Sequence, residues 1–174
     1  MQGPREECER ICWKDEFMLQ AIVASWRSPD PNTQVGAVVV DSNNCIVGTG
    51  YNGFPRGVQI NSLPWDRDKT DPLENKYAYV VHAEKNAIQN SKGLVTYRSD
   101  LYVTMHPCNN CAIDIIQAGI GNVTYLNNPY ADHWTVKAAV KMFDRVNVEI
   151  TQHKWQNPKV VSRYLNNLSK SVQK

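Results

Sequence analysis

No apolar run in this chain approaches the roughly 20 residues that a membrane span requires. Net charge is also nearly missing: 19 Lys and Arg against 17 Asp and Glu leave a formal charge of +2. That excludes a protein whose main task is coating DNA or RNA, because such chains carry a basic stripe or a strongly basic isoelectric point. The opening segment, Met1 to Glu7, lacks the apolar core of a signal peptide. Cysteine is sparse and odd in number: Cys8, Cys12, Cys45, Cys108 and Cys111. Their spacing does not resemble a secreted disulfide framework, so a cytosolic or nuclear location is expected. Internal repeats and low-complexity tracts are absent as well.

What is present suits one ordinary domain of 174 residues, 42% of them hydrophobic and 21% charged. Lys14 to Trp26 reads as a helix, with Phe17, Met18, Ala21, Ile22 and Ser25 at helical spacing, broken by Arg27-Ser28-Pro29-Asp30-Pro31. Val35 to Asp41 is a nearly continuous apolar strand, the pattern of a strand covered on both faces. Asp41-Ser42-Asn43-Asn44 turns the chain, and Cys45 to Tyr51 pairs back as a hairpin, with the Cys45 thiol expected to be buried. Residues 53–76 are polar, rich in Pro and Gly and without period, which marks a functional or inserted loop. Helices are then predicted at Tyr79–Asn90, Cys108–Ala118 and Asp132–Phe143, and strands at Leu101–Thr104, Val123–Leu126 and Val146–Thr151. The late strand-helix-strand steps need crossovers, so those strands should run parallel. The expected fold is α/β: three α/β/α layers around a mixed five-stranded central sheet. Residues 14–152 form the expected catalytic unit, with an N-terminal extension at 1–13 and a polar, basic tail at 153–174 that has a short helix near 158–168.

Two short segments carry the chemistry: His82-Ala83-Glu84 and Pro107-Cys108-Asn109-Asn110-Cys111. Zinc favours Cys sulfur and His nitrogen, and a catalytic zinc keeps one position open for water. His82, Cys108 and Cys111 supply three ligands and leave that position free. Cys108 and Cys111 are three apart at a predicted helix start, so both sulfurs lie on one face. The helix N-terminus favours thiolates over thiols. Glu84 is two residues from His82 and can sit beside the metal-held water, whose pKa zinc lowers from about 15.7 toward ~7. A carboxylate there can take the proton and return it to a ring nitrogen and a departing amine. H-x-E followed by P-C-x-x-C is the signature of zinc nucleobase deaminases. Two other readings of the motif are a closed four-ligand zinc site completed by His106 or His133, and a thioredoxin-like redox pair. The second would leave His82 and Glu84 without a role. Cys8 and Cys12 have no nearby ligand to complete a metal site.

Further motifs sharpen the resemblance: Arg27-Ser28-Pro29-Asp30-Pro31-Asn32-Thr33-Gln34-Val35-Gly36-Ala37, Gly50-Tyr51-Asn52-Gly53-Phe54-Pro55-Arg56-Gly57, Leu63-Pro64-Trp65, Lys76 to Ile88, and Ile115 to Ile120. In this order, from about Phe17 to Val148, the chain resembles the deoxycytidylate (dCMP) deaminase family, most of all its eukaryotic form. The resemblance implies a cytidine-deaminase-like fold, hydrolysis of dCMP to dUMP and ammonia for thymidylate supply, and a homohexamer. It also implies activation by dCTP with Mg2+ and inhibition by dTTP. By position it makes His82, Cys108 and Cys111 the Zn2+ ligands and Glu84 the proton shuttle. Arg27, Ser28, Asn52 and Ala83 become substrate contacts, with Arg27 and Ser28 near the phosphate. An arginine fork suits a phosphate, and an asparagine can donate or accept toward a sugar or base edge. Arg27 could equally be a solvated helix-end cation, and Asn52 a turn residue. Gly53 and Arg56, in the Gly-rich 50–57 loop, are candidate effector contacts, and Asn90 with the 91–100 connection lies where such contacts would be sought.

The chain departs from the family at Asn110, where an acidic residue is common, and at His106. The histidine either lines the pocket, making activity pH-sensitive, or is an ordinary strand-end residue. Rival functions are deamination of dCTP, cytidine, a riboflavin-precursor pyrimidine or a polynucleotide, and a non-catalytic zinc-stabilised nucleotide sensor. Arg27 and the 53–76 insertion favour a nucleotide. Low charge disfavours a polymer, and Glu84 disfavours a sensor.

Overall fold

The computed structural model describes residues 10–172. In chain order these form α1 (Trp13–Ser25), β1 (Gly36–Val40), β2 (Ile46–Tyr51), α2 (Ala83–Asn90), β3 (Asp100–Met105), α3 (Asn109–Gln117), β4 (Asn122–Asn127), α4 (Trp134–Arg145), β5 (Glu149–Gln152) and α5 (Pro158–Val172). Five strands make one sheet in the order β2-β1-β3-β4-β5. β1 runs antiparallel to both β2 and β3, whereas β3, β4 and β5 are mutually parallel and joined through α3 and α4. The sheet is mixed, as the hairpin and the later crossovers predict.

Alternation along β1 sorts the layers. Ala37 and Val39 pack with Ala83 and Ala87 of α2, Cys111, Ala112 and Ile115 of α3, and Ala139 and Phe143 of α4. Val38 and Val40 face the other way, onto Phe17, Met18 and Ala21 of α1. All five β1 residues are buried, which is why the strand reads as an unbroken apolar run. Each fully buried Val contributes about 1.5–3 kcal/mol relative to exposure.

The helices approach the sheet through glycine. A Cβ on Gly36 would meet the Ala21 carbonyl oxygen at 2.0 Å, and one on Gly50 would meet the Ala83 oxygen and the Ala87 nitrogen at 2.3 Å. Gly50 therefore sets how deeply α2 lies on the sheet. α2 is fastened to the edge strand β2 a second way: Asn86 Nδ2 donates to the Tyr51 carbonyl (2.8 Å) and Asn90 Nδ2 to that of Thr49 (2.7 Å).

Several expectations need correction. Tyr79 to His82 are not helical: Val81 exchanges two backbone hydrogen bonds with Gly53, and His82 is extended, so α2 starts at Ala83. Cys45 lies before β2 and is exposed, in a turn where Asp41 Oδ1 accepts from the Asn43 and Cys45 amides and Asn44 takes a left-handed φ of 60°. Cys12 caps α1, its Sγ accepting from the Asp15 amide at 3.4 Å, while Cys8 lies outside the described residues. β5 begins at Glu149, because the chain first turns through Asn147 at a φ of 55°. The 53–76 insertion, as expected, has little regular structure, namely a 3-10 turn at Pro72–Glu74 followed by another at Lys76–Ala78.

The polar segment after residue 152 docks on α1. Asp15 of α1 and His153 are both buried, with Nε2 3.1 Å from Oδ1, close enough for charge attraction though poorly aligned for a hydrogen bond. The Asp15 carboxylate also accepts from the Gln156 amide at the entrance to α5, and Trp155 packs edge-on to His153 and against the α1 side of the core. α5 runs on to Val172. Among the described residues, no helix is long and apolar enough to cross a membrane.

Two expected outcomes test this arrangement. Gly50→Ala overpacks the α2 contact and should lower stability by about 1–3 kcal/mol, read as a Tm lower by several degrees. Burial holds the His153 pKa below its ordinary value, opposed by Asp15 and reinforced by Lys14. The unfolded chain therefore takes up this proton first as pH falls, and the stability tied to neutral His153 is complete above about 6.5 and lost below it. Urea midpoints should accordingly fall more steeply on acidification in the wild type than in His153→Gln. Equal slopes would show that His153 carries no such linkage.

Candidate active site

His82 and Cys108 occupy the same structural position. Each is the N-cap residue of its helix, α2 or α3, in extended conformation, and neither side chain makes a capping hydrogen bond. Asn, Asp, Ser or Thr normally stands there, and giving up the cap costs about 0.5–2 kcal/mol. The side chains are turned instead to one another and to Cys111, one turn into α3. His82 Nδ1 lies 3.2 Å from Cys111 Sγ and 3.6 Å from Cys108 Sγ. The three ligand atoms all fall within 4.8 Å of one another, and among the described residues no fourth His, Cys, Asp or Glu joins them. One nitrogen and two sulfurs, with no fourth protein ligand, fit zinc with an open position. His133 is accounted for elsewhere, capping α4 through the Thr135 amide. A closed four-ligand site has no support in this geometry.

The electrostatics fit cation binding. The hydrogen bond from Cys111, helped by His82 and resisted by burial, pulls the Cys108 pKa down to about 3. The same bond, with burial and the Glu84 charge, pushes Cys111 well above the ordinary thiol value. The pair thus releases one proton readily and holds the other, which a divalent cation would displace. Its bond to Cys108 raises the His82 pKa, against the opposing effect of burial. Glu84, in the first turn of α2, is buried, and burial pushes its pKa up while the charge of His82 opposes the rise.

The other expected site residues divide. Asn52 is buried beside Gly53, whose pairing with Val81 places it next to the approach to His82. Its side chain is occupied: Nδ2 donates to Asp30 Oδ2 (3.1 Å) and the Thr33 carbonyl (2.9 Å), and Oδ1 accepts from the Val35 amide (2.7 Å). Ser28 Oγ donates to the Asn52 carbonyl at 2.8 Å. Arg27 is exposed just beyond the end of α1. Ala83 is buried at the first position of α2, where a helix leaves its amides without intrahelical acceptors. The Gly53 amide is spent on the Val81 carbonyl. Arg56 is exposed and hydrogen-bonds the side chain of Asn90, so two separately chosen effector candidates meet. His106 is buried, donating from Nδ1 to the Pro107 carbonyl at 2.8 Å and packing edge-on to Tyr125, and burial lowers its pKa. Asn110 is exposed between the two cysteines.

Sequence reasoning missed the buried ion pair of Asp30 with Lys76, 2.5 Å apart. An acidic residue between two prolines is a faint signal for Asp30; nothing in the sequence marks Lys76. It also missed that Asn86 and Asn90, at an i, i+4 spacing, bind the edge strand.

Comparison with known proteins agrees with this geometry. The profile of the cytidine and deoxycytidylate deaminase zinc-binding region matches residues 11–127. Deoxycytidylate deaminase of Homo sapiens is 45% identical over 136 residues, 78% of this chain and 76% of the relative. That of Mus musculus is 41% identical over 149 residues, 86% and 84% of the two chains. The crystal structure of dCMP deaminase from the cyanophage S-TIM5 in complex with dCMP and dUMP matches with a TM-score of 0.64 and 29% identity, covering 80% of this chain and 96% of that one. With its mixed five-stranded sheet, its His-Cys-Cys candidate zinc site and relatives of this identity and coverage, the chain belongs to the zinc-binding cytidine and deoxycytidylate deaminase family.

Proposed function

We propose that this protein hydrolyses dCMP to dUMP and ammonia. The observation that carries the reading is the open cluster of His82, Cys108 and Cys111 with a buried Glu84 on the adjoining turn of α2. His82, Cys108 and Cys111 would hold the zinc. A zinc ion there supplies a Lewis acid that brings the ionisation of water near neutral pH. The residues of the chain do the rest. Glu84 takes a proton from the water that adds to C4 of the cytosine ring and passes it to the ring nitrogen; it then takes the proton of the new C4 hydroxyl and gives it to the amine, which leaves as ammonia. Its raised pKa suits a group that must both accept and give a proton near neutrality. The Ala83 amide, at a helix start, offers a donor to the pyrimidine carbonyl. Arg27 supports the phosphate, with Ser28 holding the loop between Arg27 and Asn52, and Asn52 contacts the sugar.

Residues 14–152 are proposed as the catalytic unit, with the first 13 residues as an extension and those from 153 onward as an appended segment. A reducing compartment, cytosol or nucleus, suits the free thiols of the site. From the resemblance we further propose regulation by dCTP with Mg2+ and by dTTP, through the exposed Arg56 and its hydrogen-bond partner Asn90, with Gly53 nearby. We propose a homohexamer too, supported by large apolar side chains left exposed on α3 and α4 at Ile113, Trp134 and Val140.

Ammonia release should be fastest with dCMP among dCMP, dCTP, CMP, cytidine and single-stranded DNA, and should rise with dCTP and Mg2+ and fall with dTTP. Glu84→Gln should keep one zinc per chain by metal analysis and lose at least about 100-fold in kcat. Preference for another substrate defeats the dCMP reading, and no turnover of any cytosine nucleotide by the wild type leaves the sensor. Sedimentation should give six chains per particle, and a monomer at working concentration would refute the assembly.

A further inference from the structure

Asp30 and Lys76 form a buried ion pair outside the zinc site. Asp30 is 1% and Lys76 5% exposed. The carboxylate is saturated: Oδ1 accepts from the amides of Asn32 (2.8 Å) and Thr33 (3.2 Å), and Oδ2 from Lys76 Nζ (2.5 Å) and Asn52 Nδ2 (3.1 Å). Removing two charges from water is costly, and a buried pair is a poor way to gain stability alone. Its placement points to another use. The Lys76 amide donates to the Asp66 carbonyl, and its own carbonyl accepts from Tyr79 and Val80, so Lys76 joins the end of the insertion to the approach to His82. Asp30 joins this segment to Asn52.

We infer that Asp30 and Lys76 are positioning residues that lock the Asn52 amide so that it presents only an acceptor to the nucleotide. This rests on the reading of Asn52 as a sugar contact. An asparagine side chain has two N–H donors and two lone pairs on oxygen. Both Asn52 donors are used, on Asp30 and Thr33, and one lone pair is used by the Val35 amide. A single lone pair on Oδ1 is left. The amide cannot rotate by half a turn without facing its NH2 toward the Val35 N–H and its oxygen toward a carboxylate and a carbonyl. The partner it can take is therefore a donor, and in a 2′-deoxynucleoside 5′-phosphate the sugar has one, the 3′-hydroxyl.

Asp30→Asn breaks the lock for a definite reason. The new amide must keep its oxygen on the Asn32 and Thr33 N–H groups, which turns its NH2 toward both Lys76 Nζ and Asn52 Nδ2. Three donors then face each other, so the acceptor that held the Asn52 NH2 is gone and the Asn52 oxygen is no longer fixed toward the sugar. Asp30→Asn/Lys76→Met removes the uncompensated ammonium and is the variant to use should the single change fail to fold.

The test compares kcat/KM for dCMP and 2′,3′-dideoxycytidine 5′-monophosphate. The wild type should prefer dCMP by about tenfold or more, the worth of one buried hydrogen bond. Asn52→Ala should abolish that preference. Asp30→Asn, or the double variant, should bring the ratio to within about twofold of one, mainly through KM for dCMP, with the dideoxy substrate little affected. Loss of stability alone would lower both substrates together and leave the ratio intact. A folded Asp30 variant that keeps the wild-type ratio overturns the positioning role while Asn52→Ala still upholds the sugar contact. If the wild type shows no preference, or Asn52→Ala keeps it, the sugar contact itself is wrong and the proposal falls with it.

Discussion

The site depends on two helix starts being brought together at one place beside the sheet. His82 opens α2 and Cys108 opens α3, and both give up the cap their helix would otherwise have. Uncapped amides at a helix start carry positive partial charge, which suits thiolate sulfur but opposes a nearby cation. Two thiolates would resolve that conflict by screening a bound metal from the helix ends. Cys111 completes the set from inside α3, where helical geometry alone fixes its relation to Cys108. The distance of His82 from the sulfurs has no such local guarantee. It follows from how far α2 can settle onto the sheet, and Gly48 and Gly50 of β2 set that approach.

Glutamate in this setting is held by its surroundings. Glu84 is buried behind the cluster, where desolvation favours the protonated form and the charge of His82 the ionised one. A carboxyl balanced between the two costs stability and gains usefulness in proton transfer. The fold carries that cost on a helix fastened from three sides: by the core beneath Ala83 and Ala87, by the Asn86 and Asn90 amides, and by the Gly53–Val81 pairing before its first turn.

What was legible in the sequence was what acts over short separations or shows in residue type. The apolar run of β1 announced a central strand, and His82, Cys108 and Cys111 announced a candidate zinc site. The crossovers announced parallel strands. Tyr79 to His82 run directly into a helical pattern, but pairing of Val81 with Gly53, 28 residues earlier, takes their backbone, as suits a β-branched and aromatic run. Cys45 looked like a core residue by type, yet the carboxylate of Asp41 organises the turn and leaves the thiol outside. The Asp30–Lys76 pair spans 46 residues through a loop without period, and no local pattern reports such a contact. The docking of His153 on Asp15 escaped notice for the same reason: a histidine in a polar stretch carries no mark of being buried.

Asn86 and Asn90 have one more consequence. β2 ends the sheet on its side, and an end strand offers bare carbonyls and amides to any passing strand. The two asparagines occupy the carbonyls of Thr49 and Tyr51, so the same side chains that seat the catalytic helix also deny that edge to strand addition.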